Sequence, residues 1–197
     1  MDEIEVVPTE QLFVAPSVLE ERLQPLGVIS GGVLFRKAAG DIPQVLNLIG
    51  DLKAWLALGI ATYATSFIAK IAQQNADTLL KALRETQTPN DPDPIISIVD
   101  ALAAARTAEP LDFTPIIEVQ TGKNIEIRLI LETHSDIETA IAISKFFDSI
   151  EKISEDIKSS LENNSENSAY AVAKLQNDEV LSVEWLVGAD VHEKRSY

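Results

Sequence analysis

The chain has 197 residues, of which 46% are hydrophobic, and its formal net charge is −15. This hydrophobic content suffices for a folded core and excludes a wholly disordered chain. The strong negative charge disfavours contact with a phosphate backbone, so we expect no nucleic-acid partner. The sequence has no cysteine, which excludes disulfides, thiolate nucleophiles and cysteine-ligated zinc.

The negative charge is unevenly distributed along the chain. Residues 1–88 carry a net charge of −3 and residues 89–197 carry −12, which together give the −15 of the whole chain. Near this boundary lies TQTPNDPDP, whose prolines exclude helix. We therefore predict an N-terminal region (1–88) and an acidic domain (89–197), or one continuous domain in which TQTPNDPDP is a surface loop. The acidity favours a basic protein partner or a divalent cation, although solubility alone would also explain it.

The N-terminal region is dominated by a long apolar segment from Asp41 to Thr86. Apolar residues recur through it at steps of three and four, which is typical of one face of an α-helix. No charged residue lies between Lys53 and Lys70, and Pro43 after Asp41 is typical of a helix start. The sequence therefore predicts one long helix, apolar around most of its circumference, after short strands and one short helix.

Three kinds of surroundings would satisfy such a helix: a protein core, a partner or a membrane. The uncharged stretch 54–69 is shorter than the about 20 residues that span a bilayer, so burial in a core is the simplest interpretation. A side left uncovered by the rest of the chain would be a contact surface. The residues that we predict to form this surface are Trp55, Leu58, Gly59, Thr62 and Thr65.

Strand patterns dominate the C-terminal half. PIIEVQ and IEIRLILE flank the turn TGKN, and this spacing predicts an antiparallel hairpin. Ser135 and Glu138 then form a capping box at the start of an amphipathic helix, 136–162. AYAVAKLQ and EVLSVEWLVG predict two further strands, and the tail DVHEKRSY is predicted to fray. The inward-facing residues of the last strand are predicted to be Leu181, Val183, Trp185 and Val187.

These patterns together predict an α+β fold. Its N-terminal half contains the long apolar helix. Its C-terminal half is an antiparallel sheet of about four strands covered by amphipathic helices.

Few residues suggest chemistry. His134, Ser135 and Asp136 are neighbours, but adjacent residues seldom form a catalytic triad because their side chains diverge. The capping box explains Ser135, and Asp136 suits the positive end of a helix. The other histidine, His192, lies in the tail, and two isolated histidines without cysteine do not predict a transition-metal site. We therefore predict no catalytic, cofactor-binding or metal-binding residue, and no cofactor.

The function that these observations favour is a non-catalytic interaction module. In this interpretation the apolar helix docks on a protein partner, on its own copy or on a membrane. Two alternatives stay open: a membrane-inserting effector or anchor that acts through residues 45–72, and an enzyme whose site combines carboxylates with His134. The acidic start MDEIEVV lacks the features of a secretory signal, so we expect a cytoplasmic location, with membrane association as the alternative.

Overall fold

The computed structural model describes residues 5–6, 15–26, 29–30, 44–88, 92–108, 113–122, 124–133, 135–164, 166–176, 180–187 and 191–197. The strands in these segments are β1 (Glu5–Val6), β2 (Ile29–Ser30), β3 (Gln44–Asp51), β4 (Phe113–Thr121), β5 (Ile125–Ile130), β6 (Ala169–Gln176), β7 (Val180–Val187) and β8 (Val191–Ser196). The α-helices are α1 (Ala15–Leu23), α2 (Leu52–Ala57), α3 (Ile60–Ile71), α4 (Ala76–Thr86), α5 (Pro94–Ala108) and α6 (Asp136–Asn164).

The strands form one mixed sheet in the order β2-β1-β3-β4-β5-β6-β7-β8. Six strands, β3 to β8, make up its body, and the two-residue strands β1 and β2 extend one edge. The antiparallel β4–β5 hairpin confirms the prediction for that segment. The prediction of an antiparallel sheet of about four strands is wrong, because β3–β4 and β5–β6 pair in parallel. The α+β class is retained, and the domain boundary at residue 88 stays a prediction.

The predicted long helix in the N-terminal half is also wrong, because residues 44–51 form β3. Leu46, Asn47 and Leu48 are each at most 5% exposed, so this strand is buried on both sides. A strand buried on both sides has a continuous apolar sequence, and such a run cannot be told from a buried helix by its periodicity. Asp41 and Pro43, which suggested the helix start, lie outside the described residues.

The rest of that segment is three short helices rather than one. Asp51 begins α2, since its Oδ1 accepts a hydrogen bond from the Lys53 N–H at 2.7 Å. Gly59 separates α2 from α3 with a left-handed backbone, φ 69°. Asn75 begins α4, and its Oδ1 accepts a hydrogen bond from the Asp77 N–H at 2.9 Å. Each break therefore occurs at a residue type that favours helix ends.

The longest helix of the described chain is α6, close to the predicted 136–162. Its inner face includes Phe146, Phe147 and Ile150, each at most 1% exposed. The helix contacts β5, β6 and β7 and also packs against α3 and α5. These helices therefore share one side of the sheet, and the core lies between the two layers.

The two parallel connections, β3 to β4 and β5 to β6, step in the same direction along the sheet. Because β4 and β5 are antiparallel, β3 and β5 run in opposite directions. The helices of both connections nevertheless lie on the same side, so the two crossovers have opposite handedness. One of them is thus the left-handed form, which such connections seldom adopt.

Candidate functional site

The five residues predicted to form a contact surface lie at the corner of α2 and α3. Trp55 is 2% exposed, its Nε1 donates a hydrogen bond to the Glu118 carbonyl oxygen at 3.3 Å, and its ring packs against Phe147. Trp55 is therefore part of the core. The Thr65 hydroxyl lies 2.6 Å from Asp148 Oδ1 and joins α3 to α6.

The other three of these residues lie close together in the chain at the corner itself. Leu58 and Gly59 are half-buried, and Thr62 is exposed. All three stay predicted contact residues.

The sheet has a second side that faces away from the helices. In β5, β6 and β7 the helix-facing residues, such as Ile127, Ala171 and Val183, are fully buried in the core. Their sequence neighbours point to the opposite side, because side chains alternate along a strand. We call this side of β5 to β8 the open face. Its residues are Glu126, Arg128, Ile130, Tyr170, Val172, Lys174, Gln176, Val180, Ser182, Glu184, Leu186, His192, Lys194 and Ser196.

Large apolar side chains are exposed on the open face. Leu186 is 46% exposed, Val180 39% and Tyr170 37%, and they are the exposed large hydrophobic residues of the described chain. Tyr170 and Leu186 are directly opposite each other in the β6–β7 ladder. An antiparallel sheet side that faces water is usually polar, and the exposed Tyr170–Leu186 pair departs from that pattern.

Arg128 organises the polar part of the open face. Its Nε donates to Glu118 Oε2 at 3.0 Å, and its guanidinium also forms an ion pair with Glu126 at 2.5 Å. The guanidinium carbon lies 5.1 Å from the centre of the Tyr170 ring, within the range of a cation–π contact. Burial alone would lower the pKa of Arg128, but the charge of Glu118, with further contributions from Tyr170 and Glu126, outweighs it and raises that pKa.

The remaining charges of the open face also form ion pairs. Lys174 Nζ lies 2.7 Å from Glu132 Oε1, and Lys194 Nζ lies 2.5 Å from Glu184 Oε1. The hydrogen bond and charge of Lys194 lower the pKa of Glu184, which His192 lowers further. Glu184 therefore stays ionised at neutral pH.

An open cleft of about 450 Å³ adjoins the apolar pair. Its polar lining includes Gln120, Asn124 and Ser168, and Tyr170 and Leu186 form part of its apolar lining. The cleft lies where the β4–β5 turn meets the start of β6. It extends the surface around Tyr170 and Leu186 and provides hydrogen-bonding groups at its rim.

A second polar cluster lies on the helical side. Arg84 of α4 binds Asp100 of α5 at 2.5 Å and Asp136 of α6 at 2.7 Å. Burial alone would lower the pKa of Arg84, but the hydrogen bonds to Asp136 and Asp100 outweigh it and raise that pKa. Because all three groups are satisfied by one another, this cluster joins helices and offers no free group for chemistry.

Those candidate catalytic residues that the structure describes have structural roles. Ser135 Oγ accepts a hydrogen bond from the Glu138 N–H at 3.2 Å, as the capping box predicts. Asp136 binds Arg84, and His134 lies outside the described residues. Within the described ranges, histidine and carboxylate side chains form no group of three or more suited to a metal ion.

The membrane alternative concerned residues 45–72. These residues form β3, α2, α3 and the first residue after them. Among the helices that the structure describes, none has the length and apolar character needed to cross a bilayer.

Sequence reasoning missed the open face, although its signal was present. Strand alternation that turned Trp185 inward also turned Leu186 outward, beside Tyr170 of the preceding strand.

Comparison of the chain with protein-family models, with characterised proteins and with solved structures finds no match.

Proposed function

We propose that this protein is a non-catalytic interaction module that binds a protein partner through the open face. The observation that carries the proposal is the exposure of Tyr170 and Leu186 on the side of the sheet away from the helices. This proposal replaces the apolar helix with a sheet surface as the site of docking.

The composition of the surface supports binding to a protein. Tyrosine and arginine are enriched among the residues that dominate binding energy at interfaces, and here Tyr170 lies beside Arg128. Arg128 is held by Glu118 and Glu126 before any partner arrives. Such pre-ordering reduces the conformational entropy that binding would cost.

Glu184 on the open face is poorly suited to act as a general acid or base. A general acid or base works best with a pKa near the operating pH. The pKa of Glu184 is shifted the other way, because Lys194 stabilises its ionised form. This ion pair is suited to the polar rim of an interface.

Site-specific photocrosslinking in cells that make the protein tests the proposal. A benzophenone amino acid replaces Leu186 in one variant and Lys158 in the control. Lys158 is an exposed residue of α6, on the helical side. We expect a covalent protein adduct from position 186 and none from position 158.

A third variant carries the same group at Thr62, the exposed residue of the α2–α3 corner. An adduct from position 62 with none from position 186 would move the contact surface to that corner. Absence of adducts at both positions, with the variants folded, would contradict a stable protein partner.

A further inference from the structure

We infer that the partner of the open face is a second copy of this chain, an inference that rests on the proposed function. The first reason is the charge of the surface. The ionic residues on it, together with the carboxylates that they bind, are Glu118, Glu126, Glu132, Glu184, Arg128, Lys174 and Lys194. Their net charge is −1, whereas the chain carries −15.

The second reason is that these charges are already paired within one copy. Docking a second copy would bury charges that are already paired within each copy. The free-energy cost of burial is largest for an unpaired charge. A strongly basic partner would have to compete with Arg128, Lys174 and Lys194 for the same carboxylates. The open face is thus complementary to a surface on which positive and negative charges are also nearly equal in number. The open face of a second copy is such a surface.

The third reason is the position of the remaining negative charge. Helix α6 carries seven carboxylates against three lysines and lies on the opposite side of the sheet. In a dimer formed by two open faces, stacked sheets about 10 Å apart would separate the two helical layers. That separation, together with the thickness of each layer, exceeds the about 8 Å Debye length at physiological ionic strength. Repulsion between the acidic helices would therefore be largely screened.

A twofold axis through such a contact would bring the Tyr170–Leu186 pairs of both copies into one apolar centre. Dimers of this kind use the same patch on both subunits. Two sheets packed face to face interdigitate their side chains. The exposed leucine and tyrosine would then be covered, and the three ion-pair groups would form the rim.

Sedimentation velocity of the purified full chain over a wide concentration range, at physiological and at higher salt, tests this inference. We expect a reversible dimer whose dissociation constant changes little with salt. Leu186→Asp should raise that constant by about tenfold or more, as the loss of one central contact residue does. Ala69→Asp is the matched control, because it adds the same charge at an exposed position of α3 and should leave the dimer intact.

Spin labels give a second measurement that does not depend on weakening the dimer. The chain has no cysteine, so Gln176→Cys on the open face and Lys158→Cys on α6 each provide a single attachment site. We expect a shorter distance between copies for the label at 176 than for the label at 158.

The outcomes separate this inference from the proposed function. A monomer at all concentrations, together with an adduct between position 186 and a different protein, would refute the second copy and leave the interaction module standing. A dimer that Leu186→Asp leaves unchanged, with closer labels at 158 than at 176, would show that the copies meet through their helices and would overturn the inference.

Discussion

Replacing Gly59 with alanine tests whether the chain breaks between α2 and α3. Gly59 has φ 69°, in the left-handed region that costs an L-residue about 1–2 kcal/mol. A Cβ at this position would meet the Tyr63 ring at 3.8 Å, an ordinary contact, so no steric clash adds to that cost. Alanine also restricts the unfolded chain, which offsets about 0.4–1 kcal/mol. We therefore expect a net loss of about 1 kcal/mol in the free energy of unfolding.

An uninterrupted helix through residue 59 predicts the opposite sign. Alanine within a helix is more stable than glycine by about 0.5–1 kcal/mol, so Gly59→Ala would then stabilise the protein. Urea unfolding followed by tryptophan fluorescence measures the difference, because Trp55 and Trp185 are both buried. A rise in the urea midpoint with an unchanged slope would refute the break at Gly59.

Gly122 provides a matched control in the β4–β5 turn. Its φ is 66°, and a Cβ there would meet nothing within 4 Å. Gly122→Ala should therefore cost about the same as Gly59→Ala, since both costs come from the backbone alone. Gly59→Asn should cost less than alanine, because asparagine adopts the left-handed region more readily.

Three further substitutions test the packing, a helix end and a hydrogen bond. Phe67 is 3% exposed, so Phe67→Ala should lower the free energy of unfolding by about 3–5 kcal/mol; a loss below about 1 kcal/mol would contradict its burial. Asn75→Ala should cost about 1 kcal/mol, because it removes the side chain that begins α4, and an unchanged urea midpoint would contradict that role. Burial and the hydrogen bond to Asp156 raise the pKa of Tyr197 above its ordinary value of 10.0. Its contribution to stability is thus complete below that ordinary pKa and is lost as the pH rises above it. Tyr197→Phe should flatten this alkaline loss, and an unchanged pH profile would refute the assignment.

The sequence alone determined the elements that depend on local patterns. The four-residue turn TGKN predicted the hairpin of β4 and β5, and their register pairs Glu118 with Arg128 as expected for facing residues. The capping box and apolar stripe predicted α6 to within two residues at its end. These features need only neighbouring residues, so the sequence contains their full signal.

Local patterns could not predict that a strand ends and a helix begins at Asp51. The run Val45–Ile49 fits a buried strand and a buried helix equally well, and only its pairing with β4 decides between them. The tail was predicted to fray, yet residues 191–196 form β8. This strand is stabilised by pairing with β7 and by ion pairs such as Arg195 with Asp156, which lie far apart in the chain.

Which side of the sheet stays open was decided by the tertiary structure alone. Alternation along β6 and β7 divides their residues into two sets, and it places Tyr170 and Leu186 together. Whether the outward set meets water depends on where the helices of both crossovers pack. They lie on one side here, through two connections of opposite handedness, and this leaves the other side of β5 to β8 without a helical cover in the described chain. Helix packing is a long-range balance of buried apolar area, so no local stretch of the sequence encodes it.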